Sequence, residues 1–311
     1  MISTLRNGVG IAKKHGVRTF LHKTTAYLYE RVIASYHSYT GDNKVGDEVL
    51  EYDADVLVIA DACRYDVAQH VQEEYDWVNH IDMVDSKGSA TPEWLKNNFI
   101  GKHEDAKADT IYISANPYTE QYLNEYDWKR VEKVYEYGFN DELGTVPPDA
   151  VTDVAIQLRR DNPETPIIVH YVQPHIPFIG YDASDGIELE NWGDDGDRLS
   201  VWDMLLTGEL DKEEVTEEYT HNLRNVLDEV SLLRRNAEAD KMVVTSDHGN
   251  AMGDTSELLY GHPSGVANSE LRQVPYIQTT ATDYEEYHPD AVTDGGTKST
   301  TREKLEALGY V

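Results

Sequence analysis

The residues able to do chemistry fall in four short polar runs, each placed after a predicted strand. They are Asp61-Ala62-Cys63-Arg64-Tyr65-Asp66, Lys87-Gly88-Ser89-Ala90-Thr91-Pro92-Glu93-Trp94, His170-Tyr171-Val172-Gln173-Pro174-His175, and Thr245-Ser246-Asp247-His248-Gly249-Asn250 followed by Tyr260-Gly261-His262-Pro263. Asp247 and His248 offer a hard oxygen and a borderline nitrogen to one divalent cation. Asp61 either adds a second carboxylate or caps the helix that begins near Tyr65. Thr91 before Pro92 matches a helix N-cap with proline at the first helical position, where backbone N–H groups and the helix dipole also favour an oxyanion. A threonine hydroxyl is a poor nucleophile until a base or metal takes its proton. A cation beside Asp61 and Asp247 would supply that activation. Ser89 is the second candidate nucleophile, and His175 and His262 read either as site groups or as satisfied turn histidines.

These runs need a scaffold that brings their ends together. Val56-Leu57-Val58-Ile59-Ala60 is a nearly continuous apolar run, as expected of a strand covered on both faces of a parallel sheet. Further strands are expected at Thr110 to Ser114, Pro166 to Val172, Lys241 to Thr245 and Val274 to Thr279. Helical patterns near Tyr65 to Tyr75, Pro92 to Phe99, Pro148 to Arg160 and Lys212 to Ala237 separate them. The alternation predicts an α/β fold, a central mostly parallel sheet with helices on both faces. Ligands gather beyond the carboxyl ends of such strands. Residues 181–198 and 281–297 read as surface loops, and no internal repeat is present.

Composition narrows the function. The 311 residues hold 27 Lys and Arg against 58 Asp and Glu, a net charge of −31, which excludes a nucleic-acid binder working by counterion release. The hydrophobic fraction of 40% is too high for a disordered acidic chain, and the single cysteine, Cys63, excludes an internal disulfide. The charge is uneven: residues 1–45 carry seven Lys and Arg against two Asp and Glu. Val17, Phe20, Leu21, Leu28, Val32 and Ile33 fall there near helical spacing, so residues 1–45 are expected to form a basic helical segment beside an α/β domain at 46–311. Such a helix packs on its own domain or a partner subunit, or lies on an anionic membrane surface. No run approaches the roughly 20 apolar residues needed to cross a bilayer, and no secretory leader is visible. These features predict a cytoplasmic protein, peripheral at the inner membrane face if residues 1–45 dock there. The acid excess suggests a high-salt cytoplasm.

Asp61 after the first strand, a hydroxyl at the next helix start and Ser246-Asp247-His248-Gly249 late in the chain resemble, in that order, the alkaline phosphatase superfamily and its sulfatase-like branch. Gln173-Pro174-His175-Ile176-Pro177 resembles the Pro-His-x-Pro element of that branch, and the likeness runs from about Val56 to Ile277. It implies that Asp61, Asp247 and His248 hold a divalent metal with Thr91 as the metal-bound nucleophile. It places His175 and His262 as second-metal ligands or as groups binding substrate and leaving oxygen. Neither Ser89 nor Cys63 sits in the pattern that sulfatases mature. His175 is followed four residues later by Ile179 rather than by a histidine pair, so one ion is favoured over two. The oxygen-rich set suits Mn²⁺ or Mg²⁺, with Zn²⁺ or Ca²⁺ as alternatives. The expected reaction is cleavage or transfer of a small anionic phosphoester through a phospho-threonine at Thr91. Arg64 and Lys87 are candidates for the phosphoryl oxygens, and Asn116 for a hydrogen bond to substrate. His262 or His175 would protonate the leaving alkoxide. The ester would belong to a glycan or a lipid headgroup. The rival readings are a sulfuric-ester hydrolase and a non-catalytic, membrane-apposed scaffold or glycan-binding protein that retains the fold.

Overall fold

The computed structural model describes residues 10–181 and 199–289. The strands are β1 (Val56–Asp61), β2 (Asp82–Asp85), β3 (Ile111–Ser114), β4 (Arg130–Lys133), β5 (Ile167–Pro174), β6 (Ala239–Thr245), β7 (Ala251–Met252), β8 (Tyr260–Gly261) and β9 (Gln273–Ala281). Seven of them form one sheet in the order β2-β9-β6-β1-β5-β3-β4, and β7 and β8 form a small ribbon. The apolar run of β1 takes the centre, parallel to β5 on one side and β6 on the other. Only β9 runs against its neighbours, pairing antiparallel with β6 and β2. The sheet is therefore mixed but mostly parallel, as the alternating pattern predicts.

The main helices are α1 (Gly16–Thr40), α2 (Tyr65–Val71), α3 (Thr91–Phe99), α4 (Pro148–Asp161), α5 (Val201–Thr207) and α6 (Lys212–Asn236). Successive β1 side chains serve opposite layers. Val56, Val58 and Ala60 join Val151 and Ala155 of α4 and Leu223 and Val230 of α6 in one core. Leu57 and Ile59 join Trp94, Leu95 and Phe99 of α3 in the other. Covering on both faces is why β1 has no polar alternation.

All five expected strands are present, whereas β2 and β4 were not foreseen. Each is four residues long and charged, Asp82-Met83-Val84-Asp85 and Arg130-Val131-Glu132-Lys133, and each lies at a sheet edge. Short charged strands protect edges from further pairing, and charge hides their periodicity. Of the two expected loops, residues 182–198 and 290–297 lie outside the described residues. Among the described residues, no helix is long and apolar enough to cross a membrane.

Candidate functional site

The carboxyl ends of β1, β5 and β6 lie side by side, and α3 begins beside them. β1 ends at Asp61 and turns through Ala62, which adopts a left-handed φ of 62°. That turn aims the Ala62 N–H at Asp247 Oδ1, 3.0 Å away, and the Cys63 N–H at Ser246 Oγ, 2.8 Å away. A strained non-glycine conformation held by such bonds is typical of functional sites. Gly249 follows His248 where a Cβ would collide with the Glu270 carbonyl oxygen, so the turn after β6 admits no side chain there.

Thr91 is fully buried, its Oγ1 donating to Asp61 Oδ2 at 3.4 Å and lying 3.3 Å from His248 Nε2. The expected capping role for Thr91 is not what the structure shows. The N-cap of α3 is Ala90, no side chain caps the helix, and Thr91 is its first residue. Asp61 likewise caps nothing: α2 starts from Arg64 without a side-chain cap. Thr91 and Asp61 face each other instead.

The histidine tautomers follow from their neighbours. His248 Nδ1 lies 2.7 Å from the Gly249 carbonyl, so Nδ1 carries the proton and Nε2 presents a lone pair. That Nε2 stands 3.5 Å from Asp61 Oδ1 and 3.4 Å from Asp247 Oδ2. His175 Nδ1 is committed in the same way to the Ile176 carbonyl at 2.7 Å. Its Nε2 meets His262 Nε2 at 2.8 Å. Burial lowers His248, His175 and His262 to about 3, so all three are neutral at pH 7. The same burial raises Asp247, opposed by the His170 ring and the N–H groups of Ala62 and His248.

The His248 lone pair thus meets two carboxylates inside a buried pocket, an arrangement that repels itself unless a cation or proton lies within it. Asp61, Thr91, Asp247 and His248 offer oxygen and nitrogen donors of the kind that divalent metals take. Ligand atoms of Asp61, Asp247 and His170 also lie within 4.8 Å of one another.

The sequence reading gave His170 no role. It is fully buried, burial lowers it to about 4, its Nδ1 lies 2.7 Å from the Tyr112 hydroxyl, and its Nε2 has no hydrogen-bond partner among the described residues. The available signal was one imidazole interrupting the apolar strand Ile167 to Val172. The structure also brings Asn116 to the cluster, its Nδ2 donating to Asp61 Oδ2 at 2.6 Å. The two basic candidates are held by carboxylates: Arg64 by Asp66 and by Asp254, the latter at 2.7 Å, and Lys87 by Glu48. Ser89 Oγ lies 2.9 Å from both Glu93 Oε2 and the Pro263 carbonyl, joining α3 to the loop after His262.

No protein-family model and no curated protein matches the sequence. Solved structures do. The integral membrane protein lipooligosaccharide phosphoethanolamine transferase A from Neisseria meningitidis aligns at 12% identity and a TM-score of 0.52, covering 75% of this chain and 48% of its own. The chain thus spans about half the length of that protein. The soluble domain of the same transferase aligns at 12% identity and a TM-score of 0.49, covering 82% of this chain and 86% of its own. The C-terminal periplasmic domain of EptC from Escherichia coli, in complex with Zn, aligns at 16% identity and a TM-score of 0.45, covering 76% and 75%. The likeness to the first of these shows a shared fold, in keeping with the expected mostly parallel α/β sheet. The expectation of a cytoplasmic protein is overturned, because the Neisseria transferase that shares this fold is an integral membrane protein. An acidic surface reports how a protein is solvated, and it carries no information about which side of a membrane it occupies.

Proposed function

We propose that the chain is a metal-dependent phosphoester transferase or hydrolase with Thr91 as nucleophile. The observation that carries this reading is the Thr91 hydroxyl facing Asp61 and His248 rather than capping its own helix. Asp61, Thr91, Asp247 and His248 would hold one divalent cation. When bound, it would favour the ionised Thr91 hydroxyl and neutralise charge on a phosphoryl oxygen.

Thr91 Oγ1 attacks phosphorus in line, its proton passing to Asp61 Oδ2, while the bond to the leaving alkoxide breaks. Both rings are neutral in the free protein, so the His175–His262 pair would take up one proton from solvent between its facing Nε2 atoms as the anionic ester binds, and give it to the leaving alkoxide. Water or a second alcohol then gives its proton back to that pair and attacks the phospho-threonine, and Asp61 returns the proton to Thr91. Asn116, which donates to the same Asp61 Oδ2 as Thr91, would fix that carboxylate's orientation. The phosphoethanolamine transfer named for the structurally similar proteins supports a phosphoester, and within that class a lipid or glycan headgroup.

Aryl phosphate mono- and diesters with Mn²⁺ test the proposal. Thr91→Ala and Asp247→Asn should each lose at least about a thousandfold in kcat/KM, in line with the loss of a nucleophile or its activation. Unchanged turnover in both variants eliminates the mechanism, and faster turnover of an aryl sulfate reassigns the substrate. Metal analysis should find one ion per chain, retained in His175→Ala and His262→Ala. Two ions, one lost with either histidine, would make the pair a second metal site.

A further inference from the structure

Helix α1 is apolar on two opposite faces, and the fold uses one. On the inner face Tyr29, Ile33 and Ala34 pack on the cluster of Ala251, Leu259, Val266 and Leu271. Polar bonds tie down the same side: Lys23 Nζ reaches Asp203 at 2.7 Å, and the Ala267 N–H donates to His37 Nδ1 at 2.9 Å. On the outer face Val17, Leu21, Leu28, Val32, Tyr36 and Tyr39 are exposed, Val32 at 69% and Tyr39 at 91%. At 3.6 residues per turn these six fall within an arc of about 100°. Arg18 and Arg31, both exposed, border the arc on its two sides and make no salt bridge among the described residues.

We infer that this outer face of α1 docks on an anionic lipid surface. The argument is one of charge as well as apolar area. Helix α1 carries Arg18, Lys23 and Arg31 against Glu30, and with Lys23 given to Asp203 its outer side keeps the two arginines in a chain whose net charge is −31. An anionic bilayer repels the rest of the molecule and attracts this helix, so approach and orientation are set together. Apolar side chains between flanking arginines suit the boundary between headgroups and acyl chains. A second copy fits less well, because it would bring together two chains that each carry a net charge of −31.

Docking also orients the candidate site. Pro263 and Ser264, directly after His262, face Glu30, Arg31, Ala34, Ser35 and Ser38 of α1 across a cavity of about 570 Å³. The loop that follows His262 is held to α1 beside this cavity by the Ala267 N–H to His37 bond and by Val266 packed on Ile33 and Ala34. The inference does not rest on the phosphoester reading, since docking needs no turnover.

Flotation of the full chain with vesicles of phosphatidylcholine and phosphatidylglycerol in equal parts, against pure phosphatidylcholine vesicles, tests it. The wild-type chain should float with the anionic vesicles, and its partition coefficient should fall at least about tenfold in Leu28→Glu/Val32→Glu and severalfold in Arg18→Glu. Circular dichroism in the same buffer checks that the variants fold, and turnover of a soluble aryl ester should match wild type. Failure of the folded wild-type chain to float overturns the inference, as does flotation unchanged by Leu28→Glu/Val32→Glu. A concentration-dependent dimer in sedimentation, abolished by that double variant and without flotation, reassigns the face to a second copy.

Discussion

Two polar neighbourhoods meet at the start of α3, and they are satisfied in opposite ways. In the first, Glu93 Oε2 accepts from the N–H groups of Ser89 and Gly265, both at 3.0 Å, and the Val266 N–H donates to Ser89 Oγ at 3.2 Å. Donors there meet acceptors, and Lys87 beside them pairs with Glu48. In the second, two residues along the chain, Thr91 enters a pocket where the His248 lone pair faces the carboxylates of Asp61 and Asp247. Buried groups that complete one another hold structure, and buried groups that repel one another are kept for something that arrives. This comparison supports the proposal that the Ser89 hydroxyl is a clamp and the Thr91 hydroxyl a reagent.

The widest separation should appear between alanine at each hydroxyl. Thr91→Ala is expected to lose at least about a thousandfold in turnover while folding normally. Ser89→Ala should retain turnover within about tenfold but lose about 1–3 kcal/mol of stability, because the Val266 N–H and Glu93 are left short of a partner. Steady-state assays and urea denaturation of the two proteins measure both. If Ser89→Ala is the inactive one, the assignment of clamp and reagent is reversed.

A second separation lies in the response of stability to pH. His170, His175, His248 and His262 are held at about 3 to 4 by burial, against about 6.5 in the unfolded chain. Their contribution is complete above pH 6.5 and is lost as pH falls towards 4, because the unfolded state then binds protons that the native state refuses. Each group adds a slope of up to about 1.4 kcal/mol per pH unit. Three raised carboxyl groups act in the other direction: Asp247 and Glu229, lifted by burial, and Glu30, which burial and Asp203 lift to about 7. Four imidazoles against three carboxyls leave a net loss of stability on acidification. Denaturant midpoints of the metal-free chain between pH 7 and 5 should therefore fall, and saturating divalent metal should raise the midpoint at pH 7. A flat profile would mean that the imidazoles reach water.

The sequence made the centre of this molecule legible and its margins obscure, for physical reasons. A strand covered on both faces must be apolar throughout, so β1 and the position of Asp61 at its end stand out in a single chain. Asp247 and His248 are adjacent, which makes a donor pair visible without coordinates. His170 was hidden because one sequence does not tell whether an imidazole inside a strand faces a site or a core. The Thr91-Pro92 pair matches a helix cap, and only the three-dimensional position of Asp61 shows the hydroxyl turned elsewhere. α1 was readable as a basic helix, but which apolar residues it buries depends on Val266 and Leu271, more than two hundred positions away.

The smallest effect is expected at Lys87, and it tests the comparison most sharply. As a basic residue four positions before Thr91, Lys87 is a natural candidate to hold a phosphoryl oxygen, but its ammonium is given to Glu48. Glu48 also accepts from Lys102 Nζ at 2.9 Å and lies 3.2 Å from His103 Nε2. Lys87→Met therefore removes one of three partners and leaves that carboxylate compensated. The expected cost is about 1 kcal/mol of stability with kcat/KM changed by less than about threefold, since partly exposed ion pairs contribute little. A loss of a hundredfold or more in kcat/KM, with the denaturation midpoint unmoved, would show that Lys87 leaves Glu48 for substrate. The satisfied neighbourhood would then belong to the reaction as well.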